Sequence, residues 1–541
     1  MKNKGKVVSI IITIIYSLGL GIYAFVSSAN TKVDFCGFDF KIPIMVGTIF
    51  LLIGSLCIIR SVFNEKTKIH NLYLGMAIVI YSLLLWTMPP LHGHDICFHF
   101  DSSYVMSNKL LRIEVEGWES GNNNLSGYLI REEDRCLEFS EFYNYVEVYA
   151  KAQEDMLGNS KVKKAELVYT DTFQGEVSVP MYFYIPQAIG FTIARLLNLN
   201  VFWLLYLGRL CMCAVCIAIT YMAIKNIPFG KEFLLVCGMI PTTLLSCASI
   251  SRDALILASS FYFIAKCLQI AYVDKKQSWR EYFLLFASLI LLVPYKLVYI
   301  PFIILLGLLV YKNGKSRKWN KKHLFVGACI LLLVAVIFII INYNYLKMYI
   351  TGVNSYSMGE DSPFTVPYVL ANLGQTVEVI IKTLMTSVVR YYANMIAIGD
   401  FGGGIHKEMV IVDTLCIIIL VLATYNKDKT NRIKVTIVER LIMILTWVSV
   451  AGMVMLAFLL CTPHTNDVII GIQGRYFTPV LPLVILGFCN FDGVKFKNSK
   501  YWNYVVKVLD KVMVKRTMLL GVYAVSLFVV VNMYVWVVTY M

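Results

Sequence analysis

The residues in this sequence best suited to chemistry are a few charged and imidazole side chains stranded between long apolar runs. The first group lies in Pro89 to Asp101, where His92, His94 and His99 fall within eight positions and flank Asp95. A helix beginning near Asp95 would set Asp95 and His99 on one face at i,i+4 spacing, and Asp95 could also cap it. A carboxylate there could take the proton of an acceptor hydroxyl, or carboxylate and imidazole together could ligate a metal. The plainer alternative is a capped, polar start to a loop. The second group is Ser251, Arg252 and Asp253, between two apolar runs with almost no room for a loop. The third is Lys296 with Tyr299, again between apolar runs. A lysine so placed needs a counter-ion, a wet cavity or a route to the headgroups, and a lipid phosphate would serve. The fourth is Arg475 with Tyr476, opening another apolar run. Arginine presents a planar fork suited to phosphate, although an interfacial arginine beside an aromatic belt has the same local pattern. Arg209 lies within an apolar run and must face protein or a cavity.

The elements that hold these groups follow from composition. Of 541 residues, 58% are hydrophobic and 15% charged, against about 45–50% and about 25% in soluble proteins. So little charge cannot cover several soluble surfaces. Disorder, a collagen-like chain and a disulfide-stapled secreted fold are excluded on the same grounds. The apolar residues come in unbroken runs and do not alternate, which argues against a β-barrel. The chain reads as an all-α integral membrane protein.

A spanning helix needs about 20 mostly apolar residues, and about 13 candidates (11–14) meet or approach that length. They are Val7–Ser27, Ile42–Val62, Asn71–Met88, Val201–Ile224, Phe233–Ile250, Ala254–Tyr272, Tyr282–Val293, Leu297–Tyr311, Leu324–Ile341, Val410–Tyr425, Leu441–Cys461, Tyr476–Cys489 and Thr517–Tyr540. The net charge is +15, but Pro89 to Pro180 holds 8 basic and 16 acidic residues, leaving +23 for the remainder. The basic residues cluster in short links, most densely from Lys312 to His323. Such an excess marks the cytoplasmic side, so the charge reads as topology and not as a nucleic-acid partner. One alternating count puts the N-terminus and every basic cluster inside and the acidic loop outside. The organisation expected is three N-terminal helices (1–88), an acidic extracytoplasmic loop (89–180), a central bundle (181–341), a second extracytoplasmic loop with an interfacial helix near Leu370–Ala393 (342–407), and C-terminal helices (408–541). Within the acidic loop, Glu132–Glu154 reads as partly helical, and Cys97 and Cys136 could pair if that side is oxidising.

This topology gathers all four groups at one membrane face. Together they describe a cavity with carboxylates, imidazoles and cations, suited to an anionic lipid headgroup and an acid/base reaction beside it.

Several of these segments, in order, resemble the membrane family catalogued as domain of unknown function 2142. The matching segments are Pro89–Asp101, Pro180–Cys213 with its Tyr-x-Pro-x-x-x-Gly and Gly-Arg elements, Ile240–Ile256, Tyr295–Pro301 (YKLVYIP) and Gly474–Pro482 (GRYFTPVLP). Asp95 and His99 stand in place, and Ile96 stands where the pattern carries Glu. That family is similar to the GT-C class of integral-membrane glycosyltransferases, which take sugars from polyprenyl-phosphate donors on the outer membrane face.

The resemblance implies a GT-C-like fold in the bacterial cytoplasmic membrane. Its partners would be a polyprenyl-phosphate-linked sugar, a surface glycan, teichoic acid or protein acceptor, and the bilayer. Asp95, with His99, would be catalytic. Lys296, Arg475 and Arg252 would hold the donor phosphate, supported by Asp253, Tyr299, Tyr476, His94 and Arg209. No cofactor is expected; a divalent metal is possible but not favoured, because Arg and Lys can neutralise a monophosphate leaving group. Two other classes compete: a lipid-linked-sugar flippase, which predicts buried charges in the inner half as well, and a scaffold subunit of a polysaccharide-assembly complex, which predicts that Asp95 is dispensable.

Overall fold

The computed structural model describes residues 2–29, 41–88, 95–113, 128–137, 161–162, 166–170, 181–273, 277–293, 296–315, single positions between 336 and 347, 357–359, 361–396, 407–424, 435–488 and 512–540. Three long helices lead the chain: α1 (Lys2–Ala29), α2 (Lys41–Phe63) and α3 (Ile69–Thr87). The short helix α4 (Ile96–Leu110) follows, then β1 (Leu129–Arg131) paired antiparallel with β2 (Leu167–Tyr169), with Leu129 opposite Tyr169. The central part comprises α5 (Ile185–Leu196), α6 (Val201–Asn226), α7 (Lys231–Cys237), α8 (Pro241–Ala248), α9 (Asp253–Tyr272), α10 (Trp279–Ile290) and a 3-10 stretch, Leu297–Leu306, that runs into α11 (Gly307–Lys315). The rest is α12 (Val366–Ala371), α13 (Leu373–Ile396), α14 (Lys407–Thr424), α15 (Ile437–Leu459), a 3-10 turn Gly474–Val480 leading into α16 (Leu481–Phe488), and α17 (Val512–Tyr540).

Among the described residues, seven helices are long and apolar enough to cross a membrane, or eight if the bent pair α7–α8 counts as one. The molecule is a multi-pass, predominantly helical membrane protein. The seven coincide with seven of the expected spans. The expected span Phe233–Ile250 is broken, with α7 and α8 meeting at 58° where Pro241 starts the second piece. The expected span Tyr282–Val293 falls on α10, whose 12 residues reach about 18 Å, short of the roughly 30 Å hydrocarbon core. Leu297–Tyr311 and Tyr476–Cys489 begin as 3-10 turns containing Pro301 and Pro479, which cannot donate to the preceding turn. Val410–Tyr425 falls on α14, an 18-residue helix whose described side chains include the apolar stretch Ile411–Leu420, and Leu324–Ile341 lies largely outside the described residues.

Burial separates the centre from the rim. In the apolar window of α9, 89% of residues are buried within the protein, against 17% in α1. The central helix α9 packs on α6, α8, α10, α11 and the Gly474–Val480 turn. Local chemistry fixes helix starts: the Asn200 side chain accepts the Trp203 N–H at 3.1 Å at the head of α6, and Thr436 with Glu439 forms a capping box on α15.

The described part of the acidic loop shares a core with α5 and α6, in which Phe100, Tyr104, Tyr128 and Ile130 pack with Phe191 and Phe202. Beside it the Tyr104 hydroxyl donates to Asp134 at 2.7 Å, and Asp134 also receives the Arg131 guanidinium at 2.7 and 3.0 Å. Where a longer helix was expected, Glu132–Leu137 is a 3-10 turn, and 138–154 lie outside the described residues, as do the side chains of Cys97 and Cys136. The amphipathic helix expected near Leu370–Ala393 is α13. It turns Thr376, Val379, Thr383, Asn394 and Ile396 inward and leaves Leu373, Ile381, Met385 and Val389 exposed, an outer face more apolar than that of a soluble surface helix.

Candidate active site

The segment after α3 delivers Asp95 to the head of α4. Asp95 adopts the left-handed conformation (φ 53°), which a short polar residue tolerates better than most. It stands at the N-cap position but makes no side-chain capping bond, a correction to the expected cap. The carboxylate is 69% exposed instead, with Oδ2 at 3.7 Å from Arg475 Nη2. His99 bonds back to Asp95 only through the backbone, His99 N–H to Asp95 carbonyl at 3.0 Å. The i,i+4 spacing therefore holds, but the two side chains part: Asp95 opens outward and His99 is buried.

His99 is enclosed by polar partners from two other elements. Its Nδ1 lies 3.0 Å from the Tyr184 hydroxyl and its Nε2 3.3 Å from Ser251 Oγ. Burial, and next the Arg252 guanidinium, push its pKa well below the usual histidine range, so the ring is neutral. Arg252 is itself buried, its guanidinium 4.7 Å from the Phe98 ring centre and 5.7 Å from that of Tyr184. It lines the wall of the site and does not point from the rim.

Asp253 begins α9, where its backbone N–H donates to Ser251 Oγ at 3.1 Å. Lys296 Nζ donates to both carboxylate oxygens of Asp253, at 2.7 and 2.9 Å. Lys296 is 20% and Asp253 17% exposed, so the pair is largely desolvated and mutually dependent. Tyr476 lies under both cations, its ring centre 4.5 Å from Lys296 Nζ and 5.3 Å from Arg475 Cζ. The Tyr299 hydroxyl donates to the Tyr476 carbonyl at 3.1 Å and ties the Lys296 segment to the Arg475 segment. A small pocket among Ser246, Asp253, Tyr299, Arg475 and Tyr476 reaches into this cluster. Among the described residues of this cluster, with His99 neutral, Arg252, Lys296 and Arg475 outnumber Asp95 and Asp253 by one positive charge.

Arg209 is not among these groups. Its Nε donates to the Ala248 carbonyl at 2.6 Å and its Nη1 to the Met88 carbonyl at 3.1 Å. It clamps the end of α8, just before the Ser251–Asp253 turn, to the end of α3, just before the Asp95 segment. His94 lies outside the described residues. Residues that sequence reasoning passed over complete the frame. A Cβ on Gly190 would fall 2.5 Å from Gly208 N and one on Gly208 2.8 Å from Phe191 Cδ1, so both glycines are needed where α5 crosses α6. Gly474 sits against the backbone of Asn394 and Met395 in α13, and Thr478 Oγ1 donates to the Met395 carbonyl at 3.1 Å. The Tyr-x-Pro-x-x-x-Gly, Gly-Arg and Gly-Arg-Tyr elements carried that signal. Nothing local marked Ser251 as a partner of His99.

A second set of charges, also missed, lies toward the other end of α9, with Lys266 and Glu439 buried and their partners partly exposed. Lys266 pairs with Glu281, and fully buried Glu439 pairs with Lys312 at 2.9 Å and accepts the Tyr272 hydroxyl at 2.7 Å. Among the described residues, no three His, Cys, Asp or Glu side chains group so as to hold a metal ion.

Residues 78–484 match the family model described as a predicted membrane protein, DUF2142. The chain belongs to that family. No curated protein and no solved structure matches it. The DUF2142 region contains Asp95, His99, Arg252, Asp253, Lys296 and Arg475, so the clustered residues all fall within the part of the chain that defines the family.

Proposed function

We infer that this DUF2142 protein is a GT-C-like glycosyltransferase. It moves a sugar from a polyprenyl-phosphate donor to a hydroxyl of a surface glycan, teichoic acid or protein at the outer face of a bacterial cytoplasmic membrane. The observation that carries the reading is Arg475. It bridges an exposed carboxylate and a buried ion-paired cluster, yet its contacts to Asp95 (3.7 Å) and the Tyr476 hydroxyl (3.5 Å) are long, and its Nε has no hydrogen-bond partner. A guanidinium fork so little used, in a site with one excess positive charge, suits a monophosphate.

In the reaction, Asp95 takes the acceptor hydroxyl proton while the acceptor oxygen attacks the anomeric carbon. The bond from that carbon to the donor phosphate oxygen breaks, and the anomeric configuration inverts. The charge arriving on the leaving phosphate is met by Arg475 first. Lys296 contributes less, because Asp253 already takes two of its donor contacts. Neutral His99, bonded to Tyr184 and Ser251, positions the turn that leads into Asp253.

The test compares surface-glycan sugar composition by mass spectrometry in wild-type, deletion and Asp95→Asn cells at equal membrane protein. Loss of one sugar in both altered strains is expected. Loss in the deletion but not in Asp95→Asn would remove Asp95 as base. A flippase is the second reading, favoured by the buried Lys266 and Glu439, each paired with a partly exposed partner (Glu281 and Lys312), toward the other end of α9. It predicts that Asp95→Asn keeps the sugar, whereas Glu439→Gln loses it.

A further inference from the structure

Between α1, α2, α3 and α17 runs a cleft of about 410 Å³, its walls formed by Leu20, Ala24, Gly47, Phe50, Val530 and neighbouring apolar side chains. That volume lies within the roughly 300–1,000 Å³ of ligand sites. All four walls are helices long and apolar enough to cross a membrane. Where α3 ends, the lining residues are Trp86 and Thr87, with Tyr206 of α6, and the Thr87 hydroxyl is buried without a hydrogen-bond partner; Thr48, Ser82 and Tyr534 add further polar groups to the lining. Trp86 and Tyr206 pack on the cluster of Ile96, Phe100 and Phe191 that supports the head of α4, where Asp95 stands. Met88, next to Thr87, is the residue whose carbonyl Arg209 clamps toward the Ser251–Asp253 turn.

We propose that this cleft holds the hydrocarbon chain of the lipid donor, with its phosphate end directed past Trp86 and Thr87 to the Asp95–Arg475 cluster; the inference rests on the glycosyltransferase reading. A mostly apolar lining on four helices of spanning length, and the excess positive charge of the Asp95–Arg475 cluster, select a single-chain anionic lipid as the occupant.

Two glycines make the test specific. Gly47 lines the cleft and has no atom within 4 Å of a Cβ position, so a large side chain there enters the cleft without striking protein. Gly19 in α1 has the same open surroundings but does not line the cleft. The purified full-length protein is labelled with a diazirine-bearing polyprenyl phosphate, and labelled peptides are mapped by mass spectrometry. Label is expected on α2, α3 and α17. It should fall about tenfold or more in Gly47→Trp, since displacing even two buried methylenes is worth that factor, and persist in Gly19→Trp. Gly47→Leu replaces the tryptophan variant if that one loses its cooperative melting transition. Undiminished label in the Gly47 variants, or competition by phosphatidylglycerol as strong as by unlabelled polyprenyl phosphate, would overturn the proposal. Asp95→Asn separates the two ideas. Label retained there, with no sugar transfer detected in any variant, sinks the transferase reading and leaves the cleft. Transfer without label in the cleft sinks the cleft alone.

Discussion

Replacing Gly474 by alanine should disable the site without touching any charged group. A Cβ at Gly474 would run into the Tyr391 carbonyl and lie 2.6 Å from Met395 N and 2.7 Å from Asn394 C, all backbone atoms of α13. Ordinary contact starts near 3.4 Å, so α13 and the Gly474–Val480 turn must separate by about 0.8 Å to clear Met395 N and by more to clear the Tyr391 carbonyl. Backbone cannot rotate away as a side chain does, so the strain falls on the bonds that hold the turn: Thr478 to Met395 at 3.1 Å, and Thr242 in α8 to Asn394 at 3.1 Å. Overpacking of this kind costs about 1–3 kcal/mol. The larger effect is on Arg475, the next residue, because a misplacement of about 1 Å costs on the order of 10²-fold in rate. The assays are thermal unfolding of the purified protein and sugar incorporation in membranes. Gly452→Ala in α15, where no atom lies within 4 Å, should instead gain about 0.5–1 kcal/mol, as an open helix glycine does. If Gly474→Ala melts and transfers sugar like Gly452→Ala, the reasoning that α13 seats Arg475 is wrong.

Asp253→Asn leaves Lys296 without its buried counter-ion and should cost about 3–5 kcal/mol, with much of it recovered in Asp253→Asn with Lys296→Met; unfolding of the single and double variants measures the coupling. Arg475→Met should reduce sugar transfer by on the order of 10²–10³-fold with little change in melting, and an equal loss of both would assign Arg475 a structural role instead. His99 binds no proton in the fold where an unfolded chain would, so stability should fall as pH drops below about 6.5, by up to about 1.4 kcal/mol per pH unit until the depressed folded pKa is reached; His99→Gln should flatten that slope in melting curves taken from pH 7 to 5. Arg209→Lys keeps the charge but cannot span both carbonyls, so it should lower the melting temperature and weaken donor labelling together, whereas an unchanged melting curve would show that the clamp is dispensable.

Sequence alone determined the class of molecule. Charge is too scarce for a soluble surface, and apolar runs of spanning length recur, because hydrocarbon imposes a local, length-based requirement that each segment must meet by itself. It also marked where chemistry could lie, since a charge between apolar runs is costly enough to need a reason. Asp95, Arg252, Asp253, Lys296 and Arg475 were legible on that ground. Tertiary structure alone decided who meets whom. Lys296 grips Asp253 across 43 residues, and Tyr299 reaches Tyr476 across 177. His99 turns inward although it shares a helical register with Asp95, and Arg209 serves the backbone of two helix ends instead of a ligand. The broken spans at Pro241, Pro301 and Pro479, and the buried Glu439 with Lys312, depend equally on which helices pack together. Hydrophobic periodicity reports only that a residue is buried. Which group satisfies a buried charge is fixed by side chains from distant segments converging in space, and no local pattern encodes that.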